Sequence, residues 1–367
     1  MPLAQPRTGV GTYTFELARA LAAETPADEF ELISPLPYDA RVGAGTVSGD
    51  NTQANLKLIC SRPNLLQRRW WTIGLPFYLR SHPLDLFHGT NYEVPLRAPC
   101  PTVITIHDLS LLLHSSTHEA RAVRRARLLL PLMARKATLI ITPSELVRRE
   151  VCTHLKISPA KVFATPLAPR STFTPMPLPE TVETRRRLGI EDEFLLFVGT
   201  IEPRKNITTV LTALEELWRV TGLQPQLVVA GKVGWKVDGV LAQARESSIR
   251  DRVRFLGFVT DEDLRALYSS CAAFVYPSIY EGFGLPPLEA MACGAPVIAS
   301  QVPSIKESVA RIVPATDSTK LAEVIVELLT DEQARRSLSE RGIKHAQQFS
   351  WKQTAALTRQ VYARARR

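Results

Sequence analysis

Cysteine is scarce in this chain of 367 residues and builds no framework. Cys60, Cys100, Cys152, Cys271 and Cys293 are odd in number, far apart and without a C-x-x-C pair. That pattern excludes a disulfide scaffold and a structural zinc site, and it fits a reducing cytoplasm. Long hydrophobic runs are missing as well. The longest stretches, such as Leu128 to Ala134, fall far short of a membrane span, and the opening Met1-Pro-Leu-Ala-Gln-Pro-Arg7 has no apolar core of the kind a secretory leader needs. No segment repeats at the period of a solenoid. Glycine and proline, at 18 and 27 residues, are too few to keep the chain disordered.

Negative charge is in deficit. With 45 Lys and Arg against 36 Asp and Glu, the net charge of +9 implies attraction to something anionic: a nucleotide diphosphate, an anionic lipid or a nucleic acid. An aromatic-and-basic recognition stripe is absent, which argues against nucleic acid. The basic clusters, Arg68-Arg69, Arg121 to Arg127, Arg148-Arg149 and Arg364 to Arg367, read first as solvated helix faces and second as a docking surface.

What the chain does have is a rhythm of short β-branched runs between helical patterns. Strands are expected at Phe30 to Ile33, Asp85 to Phe87, Thr102 to Ile106 and Thr138 to Thr142. They resume at Phe194 to Val198, Gln226 to Ala230, Arg252 to Leu256, Ala272 to Tyr276 and Pro296 to Ala299. Strand alternating with helix means α/β architecture with parallel sheets, and this length exceeds what one core organises, so two doubly wound domains are expected. The proline-rich run from Ala164 to Pro179 marks the boundary, giving domains over 1–170 and 171–349. The helical spacing from Phe349 to Tyr362 predicts a last helix, within 350–367, that packs back on the first domain. Only eight mostly polar or proline residues precede Gly9-Val-Gly11, so the buried strand that opens such a domain is missing. The expectation is a start upstream of Met1, the alternative another segment in that sheet position.

The sharpest motif is Tyr280-Glu-Gly-Phe-Gly-Leu-Pro-Pro-Leu-Glu289. A strand precedes it, Pro286 suits a first helical turn, and Gly294 suits a C-cap. Gly282 and Gly284 clear the way for an anion to approach the amides of the helix start, where the dipole also favours it. Glu281 then sits just ahead of the helix and Glu289 about 6 Å along it. Two carboxylates so spaced can accept hydroxyls from a sugar on one side of a diphosphate and a ribose on the other.

Embedded in strand, Gly-Phe-Gly turn and Ala-Met-Ala-Cys-Gly ending, this segment resembles the signature of family 4 glycosyltransferases, of GT-B architecture and retaining stereochemistry. The resemblance covers most of the chain. Phe197-Val-Gly-Thr-Ile-Glu-Pro-Arg-Lys-Asn206 is similar to the family's cation turn, in which the counterparts of Arg204 and Lys205 neutralise the donor diphosphate, so no metal or cofactor is required. It implies donor contacts at Gly11, Gly199, Phe258, Val259, Phe283, Gly284, Leu285 and Glu289. His107, with Arg204, Lys205 and Glu281, becomes catalytic, and Asn91 and Asp108 serve the acceptor. The motifs are expected to face one cleft between the two domains.

The resemblance further implies a hexose donor, mannose in the closest pattern, on GDP or UDP, and a glycan or lipid-linked acceptor. The helix from Glu119 to Ala137 mixes arginine with leucine and suits contact with an anionic membrane at its inner face. Two rivals stand beside this reading. A GT-B phosphorylase or sugar-nucleotide epimerase shares the phosphate-binding helix ends, although no lysine segment suited to pyridoxal phosphate is evident. A non-catalytic basic protein that binds nucleotides or nucleic acid would also explain the charge.

Overall fold

The computed structural model describes residues 9–36, 38, 54–60, 70–190, 193–246 and 248–367. The expected lack of a strand ahead of Gly9 lies outside these residues. The chain packs as two compact units. One holds Met1–Leu109, Arg124–Leu167 and Ser350–Arg367, and the other Ser110–Val123 and Ala168–Phe349.

In the first unit, β1 (Phe30–Ser34) pairs in parallel with β2 (Leu56–Cys60), and β3 (Phe87–Gly89), β4 (Thr102–Thr105), β5 (Leu139–Thr142) and β6 (Val162–Ala164) form a separate parallel sheet in that order. Val103, Ile104, Ile140 and Ile141 are fully buried, the signature of strands covered on both faces. One cover is the last helix, Trp351–Ala365. Ser350 caps it by accepting from the Gln353 amide, and Val361 and Ala365 pack on Val103 and Ile141. Trp351 meets Tyr13 of the helix Gly9–Glu24 at 6.3 Å.

The second unit is built on one parallel sheet of β7 (Phe194–Val198), β8 (Gln226–Ala230), β9 (Val253–Gly257), β10 (Ala273–Tyr276), β11 (Val297–Ala299) and β12 (Arg311–Ile312). Their order is β12-β11-β10-β7-β8-β9. The chain starts at β7, runs outward through β8 and β9, and returns to the other side of β7 as β10. The strand order therefore reverses between β7 and β10, and ligands of open α/β sheets bind beyond the carboxyl ends of strands at such a point.

Ser110–Val123 packs with the second unit although it lies within the first 170 residues. The loop after β8 grips it. Trp235 donates its indole N–H to the Thr117 carbonyl at 2.9 Å, Lys236 reaches the Ser116 carbonyl at 2.7 Å, and His118 stacks on Trp235. All five cysteines are free thiols. No described helix is long and apolar enough to cross a membrane.

Candidate active site

The loops leaving β7 and β10 are knitted together at the reversal point. The Ile279 amide donates to the Arg204 carbonyl at 2.8 Å, the Ser278 hydroxyl reaches the same oxygen at 3.2 Å, and Asn206 Nδ2 donates to the Pro277 carbonyl. Asn206 takes a left-handed conformation (φ 58°) at the start of the helix Ile207–Thr221, turning the cation turn back toward β10.

This knitting brings three of the four expected catalytic residues together. Lys205 Nζ lies 2.6 Å from Glu281 Oε1 and 2.5 Å from the Tyr276 hydroxyl. Arg204 Nη1 is 3.1 Å from the same Oε1 and donates to the Tyr280 carbonyl at 2.7 Å, while Nη2 meets Glu202 at 2.5 Å. Ser278 and Tyr276 donate to Glu281 Oε1 as well, at 2.5 and 3.1 Å. The side chains of Arg204, Lys205 and Glu281 are only 10 to 11% exposed. Isolated buried charges would each cost several kcal/mol, so this cluster persists because two cations meet two carboxylates.

Protonation follows the same balance. Burial alone would raise the Glu281 carboxyl, but the charges of Lys205 and Arg204, with hydrogen bonds from Lys205 and Ser278, hold it down to about 2. Burial lowers the Lys205 ammonium from its ordinary value, opposed by Glu281 and aided by Arg204. Burial raises the Glu202 carboxyl against the pull of Arg204 and Lys205.

Beside the cluster begins the helix Leu285–Ala292, with Pro286 and Pro287 in its first turn. Gly284 sits at φ +95°, and a Cβ there would stand 2.9 Å from both Ser304 Oγ and Val302 Cγ2, so no other residue fits without displacement. Pro286 and Pro287 carry no N–H and the Leu288 amide donates to the Gly284 carbonyl at 3.4 Å, which leaves the Leu285 amide without an intrahelical acceptor at the positive end of the helix. Gly199 and Gly231 bring the loops after β7 and β8 into backbone contact. A Cβ on Gly231 would fall 1.9 Å from the Gly199 carbonyl oxygen. Phe258 follows β9 and is 45% exposed, and Val259, next to it, is half-buried.

Three expected donor contacts are buried. The Phe283 ring is buried edge-to-face against Phe349 at 5.9 Å. Leu285 is buried likewise. Glu289 is 3% exposed, and each of its carboxylate oxygens accepts from Arg170, at 2.9 and 3.0 Å. The sequence reading assigned nothing to Arg170, Glu202, Tyr276 or Ser278. Glu202 stands inside the quoted Ile-Glu-Pro-Arg-Lys turn, but no sequence signal pairs Arg170 with a residue 119 positions away.

The first unit gathers a different chemistry at the ends of β3 and β4. His107 Nε2 donates to the Thr90 carbonyl at 2.8 Å, which fixes the neutral ring with Nδ1 as acceptor. Tyr13 and Tyr92 pack edge-on against it. A partly buried relay joins Tyr362, His88, Thr105 and Tyr13 through contacts of 2.7, 2.7 and 2.8 Å. Burial lowers the His107 imidazole from its ordinary value, and burial together with the nearby His107 takes that of His88 down to about 3. Asp108 donates its amide to the Tyr92 hydroxyl at 3.0 Å, Asn91 is half-buried in the loop after β3, and Gly11 is buried in the first helix. Among the described residues no group of three His, Cys, Asp or Glu side chains is placed to hold a metal ion.

Residues 7–167 match the Glycosyltransferase Family 4 pattern and residues 181–345 match Glycosyl transferases group 1. The O-antigen chain mannosyltransferase B of Escherichia coli is 32% identical over 378 residues, covering 98% of this chain and 97% of that protein. The serotype-specific mannosyltransferase WbdA of Escherichia coli is 32% identical over 288 residues, which span 76% of this chain and 35% of that longer protein. Among solved structures, Anabaena HepE in complex with UDP and glucose superposes with a TM-score of 0.78 at 17% identity, over 98% of this chain and 97% of that one, a likeness of fold. The reversed strand order, the paired loops and these matches together show that the chain is a glycosyltransferase of GT-B fold and belongs to the family 4, group 1 glycosyltransferases.

Proposed function

We propose that the chain transfers a hexose, mannose by the names of its relatives, from a nucleoside diphosphate to a hydroxyl of a glycan or lipid-linked acceptor, without a metal and with retention of configuration. The observation that carries the reading is the pairing of Arg204 and Lys205 with Glu281 beside the Gly284–Leu285 helix start. The four side-chain contacts to Glu281 fall on Oε1, and we assign Oε2 to a sugar hydroxyl. The diphosphate takes Arg204, Lys205 and the Leu285 amide, Glu289 takes the ribose, and Phe258 and Val259 flank the base. Gly11 and Gly199 allow close approach of backbone to the donor. In the first unit Asn91 and Asp108 serve the acceptor, and His107 accepts from a sugar hydroxyl through Nδ1.

In the chemical step the bond from the anomeric carbon to the diphosphate oxygen breaks, and the cations stabilise the departing charge. The acceptor oxygen bonds to the anomeric carbon from the same face, and its proton passes to the departing phosphate. The cation pair meets the charge that a divalent ion would otherwise meet. Donors on GDP and on UDP fit these residues alike.

A second reading concerns place. The helix Ala120–Lys136 exposes Leu128 (76%) and Leu132 (37%) between Arg124, Arg125, Arg127 and Arg135, and we assign this stripe to an anionic membrane at the cytoplasmic face. Vesicles containing anionic lipid should sediment the protein at low salt, and Leu128→Glu should release it. Sedimentation unchanged by that variant overturns the assignment.

The test of the reaction is a panel of GDP-mannose, UDP-glucose and related donors, followed by nucleotide release with and without acceptor and in the presence of EDTA. One nucleotide should be released in proportion to glycosylated acceptor. Inorganic phosphate replacing the acceptor, or isomerisation of the donor alone, would establish a phosphorylase or an epimerase instead.

A further inference from the structure

Residues 110–123 follow β4 in the chain, where the proline-marked boundary places them in the first domain, yet they pack with the second unit. Their first turns are tight. The His114 amide donates to the Ser110 carbonyl at 2.8 Å, and the His114 carbonyl accepts from the Thr117 amide at 3.0 Å and the Thr117 hydroxyl at 2.7 Å. The far end of this strap is held by the Trp235 indole on Thr117 and by Lys236 on Ser116. The holding loop has little freedom of its own. Lys236 takes a left-handed conformation (φ 53°), the Gly234 amide donates to the Ile201 carbonyl at 3.0 Å, and a Cβ on Gly234 would fall 2.6 Å from that oxygen. Ile201 in turn leads directly into Glu202 and the cation turn.

The near end of the strap reaches the charged cluster. The His114 ring lies on that of Tyr280, with centroids 4.8 Å apart and planes tilted by 34°. Tyr280 is buried, and its carbonyl accepts from Arg204 Nη1 at 2.7 Å while Glu202 accepts from Nη2 at 2.5 Å. An aromatic ring packed on its face by a second ring does not turn freely, and the backbone of its residue is held with it. The contacts therefore close a circuit, from Arg204 to Tyr280, His114, Thr117 and Trp235, and back through Ile201 to the cation turn. A guanidinium fixed in this way meets a developing charge without reorganising. We infer that residues 110–118 are a working part of the donor-binding unit, and that His114 is a positioning residue: through Tyr280 it holds the Arg204 guanidinium where the leaving diphosphate is met. This rests on the reading that Arg204 meets a diphosphate.

The test is calorimetric titration of the full chain with GDP and UDP, and with GMP and UMP. The ratio of diphosphate to monophosphate affinity isolates what the cations add. In wild type it should be about tenfold or more for the nucleotide that binds, the value of one charged hydrogen bond. Arg204→Met should remove most of it, Lys205 keeping the remainder. His114→Ala should lower it about threefold to tenfold, and His114→Phe, which keeps a ring on Tyr280, should restore it to within about twofold of wild type. In the Arg204→Met background His114→Ala should change the ratio by less than about twofold, because its effect passes through Arg204. Trp235→Phe keeps an aromatic ring beside His118 but loses the N–H to Thr117, and should shift the ratio in the same direction as His114→Ala. This variant carries the test if His114→Ala does not fold.

A purely structural strap would lower the unfolding midpoint and leave the ratio intact. A full ratio in the folded His114→Ala variant overturns the proposal, as does an equal loss in the Arg204→Met background or a loss that His114→Phe fails to restore. Binding of neither GDP nor UDP by wild type, or a wild-type ratio in Arg204→Met, would instead overturn the diphosphate reading on which the proposal stands.

Discussion

The two units bury polar groups of opposite electrical character. At the reversal point of the second unit, Glu202, Arg204, Lys205 and Glu281 are buried as a balanced cluster of four charges. In the first unit, Tyr362, His88, Thr105 and Tyr13 form a partly buried neutral relay, and His107 is neutral too. Under the proposed function, formal charge buried at that expense meets the charge of a diphosphate. Neutral donors and acceptors suffice where the groups handled are hydroxyls. The contrast is what the proposal predicts of a leaving-group site in one unit and an acceptor site in the other.

The comparison can be broken most sharply at Lys205. Lys205→Ala should lower kcat by about 10² to 10³, the cost of removing one preorganised charge from a developing anion. Steady-state rates with saturating donor check this, and a variant within threefold of wild type contradicts it. Glu281→Gln should cost about tenfold to a hundredfold in kcat while nucleotide affinity changes little, since Glu281 is assigned to the sugar. A loss confined to nucleotide affinity would move Glu281 to the wrong side of the donor.

Acid separates the two regions further. His88 titrates near 3 in the folded chain against 6.5 ordinarily, so between those values the unfolded chain binds more protons, and the stability His88 contributes is full above 6.5 and lost as pH falls through 3. Glu281, near 2 against 4.5, contributes stability that is full above 4.5 and lost as pH falls through 2. Hydrogen exchange should therefore show the first unit loosening at higher pH than the second. His88→Asn should destabilise by about 1 to 3 kcal/mol at neutral pH, with a difference from wild type that shrinks toward pH 5. Thermal midpoints across that range check the sign.

Much of the fold is legible in the sequence. Buried parallel strands are continuous apolar runs, so Phe194 to Val198 and Ala272 to Tyr276 announce themselves, and the Gly-rich turn before Leu285 follows from what only glycine can do. The cation turn and Glu281 were legible as neighbours in function through the family pattern. Their mutual pairing was not, because it depends on the reversal that sets β10 beside β7. Short edge strands such as Val162–Ala164 carry too few residues for a period to show. The burial of Phe283 against Phe349 and the fork of Arg170 on Glu289 are contacts 66 and 119 residues apart, set by packing alone. Ser110–Val123 joins the second unit through Trp235 for the same reason.

The central claim is that a buried cation pair, with no metal, carries the leaving diphosphate while the acceptor attacks from the same face. The most direct test follows the anomeric proton and carbon of the product by NMR as wild type turns over its α-linked donor in EDTA. The account predicts an α-linked product formed at an undiminished rate. A β-linked product, or no product until a divalent cation is restored, would contradict it.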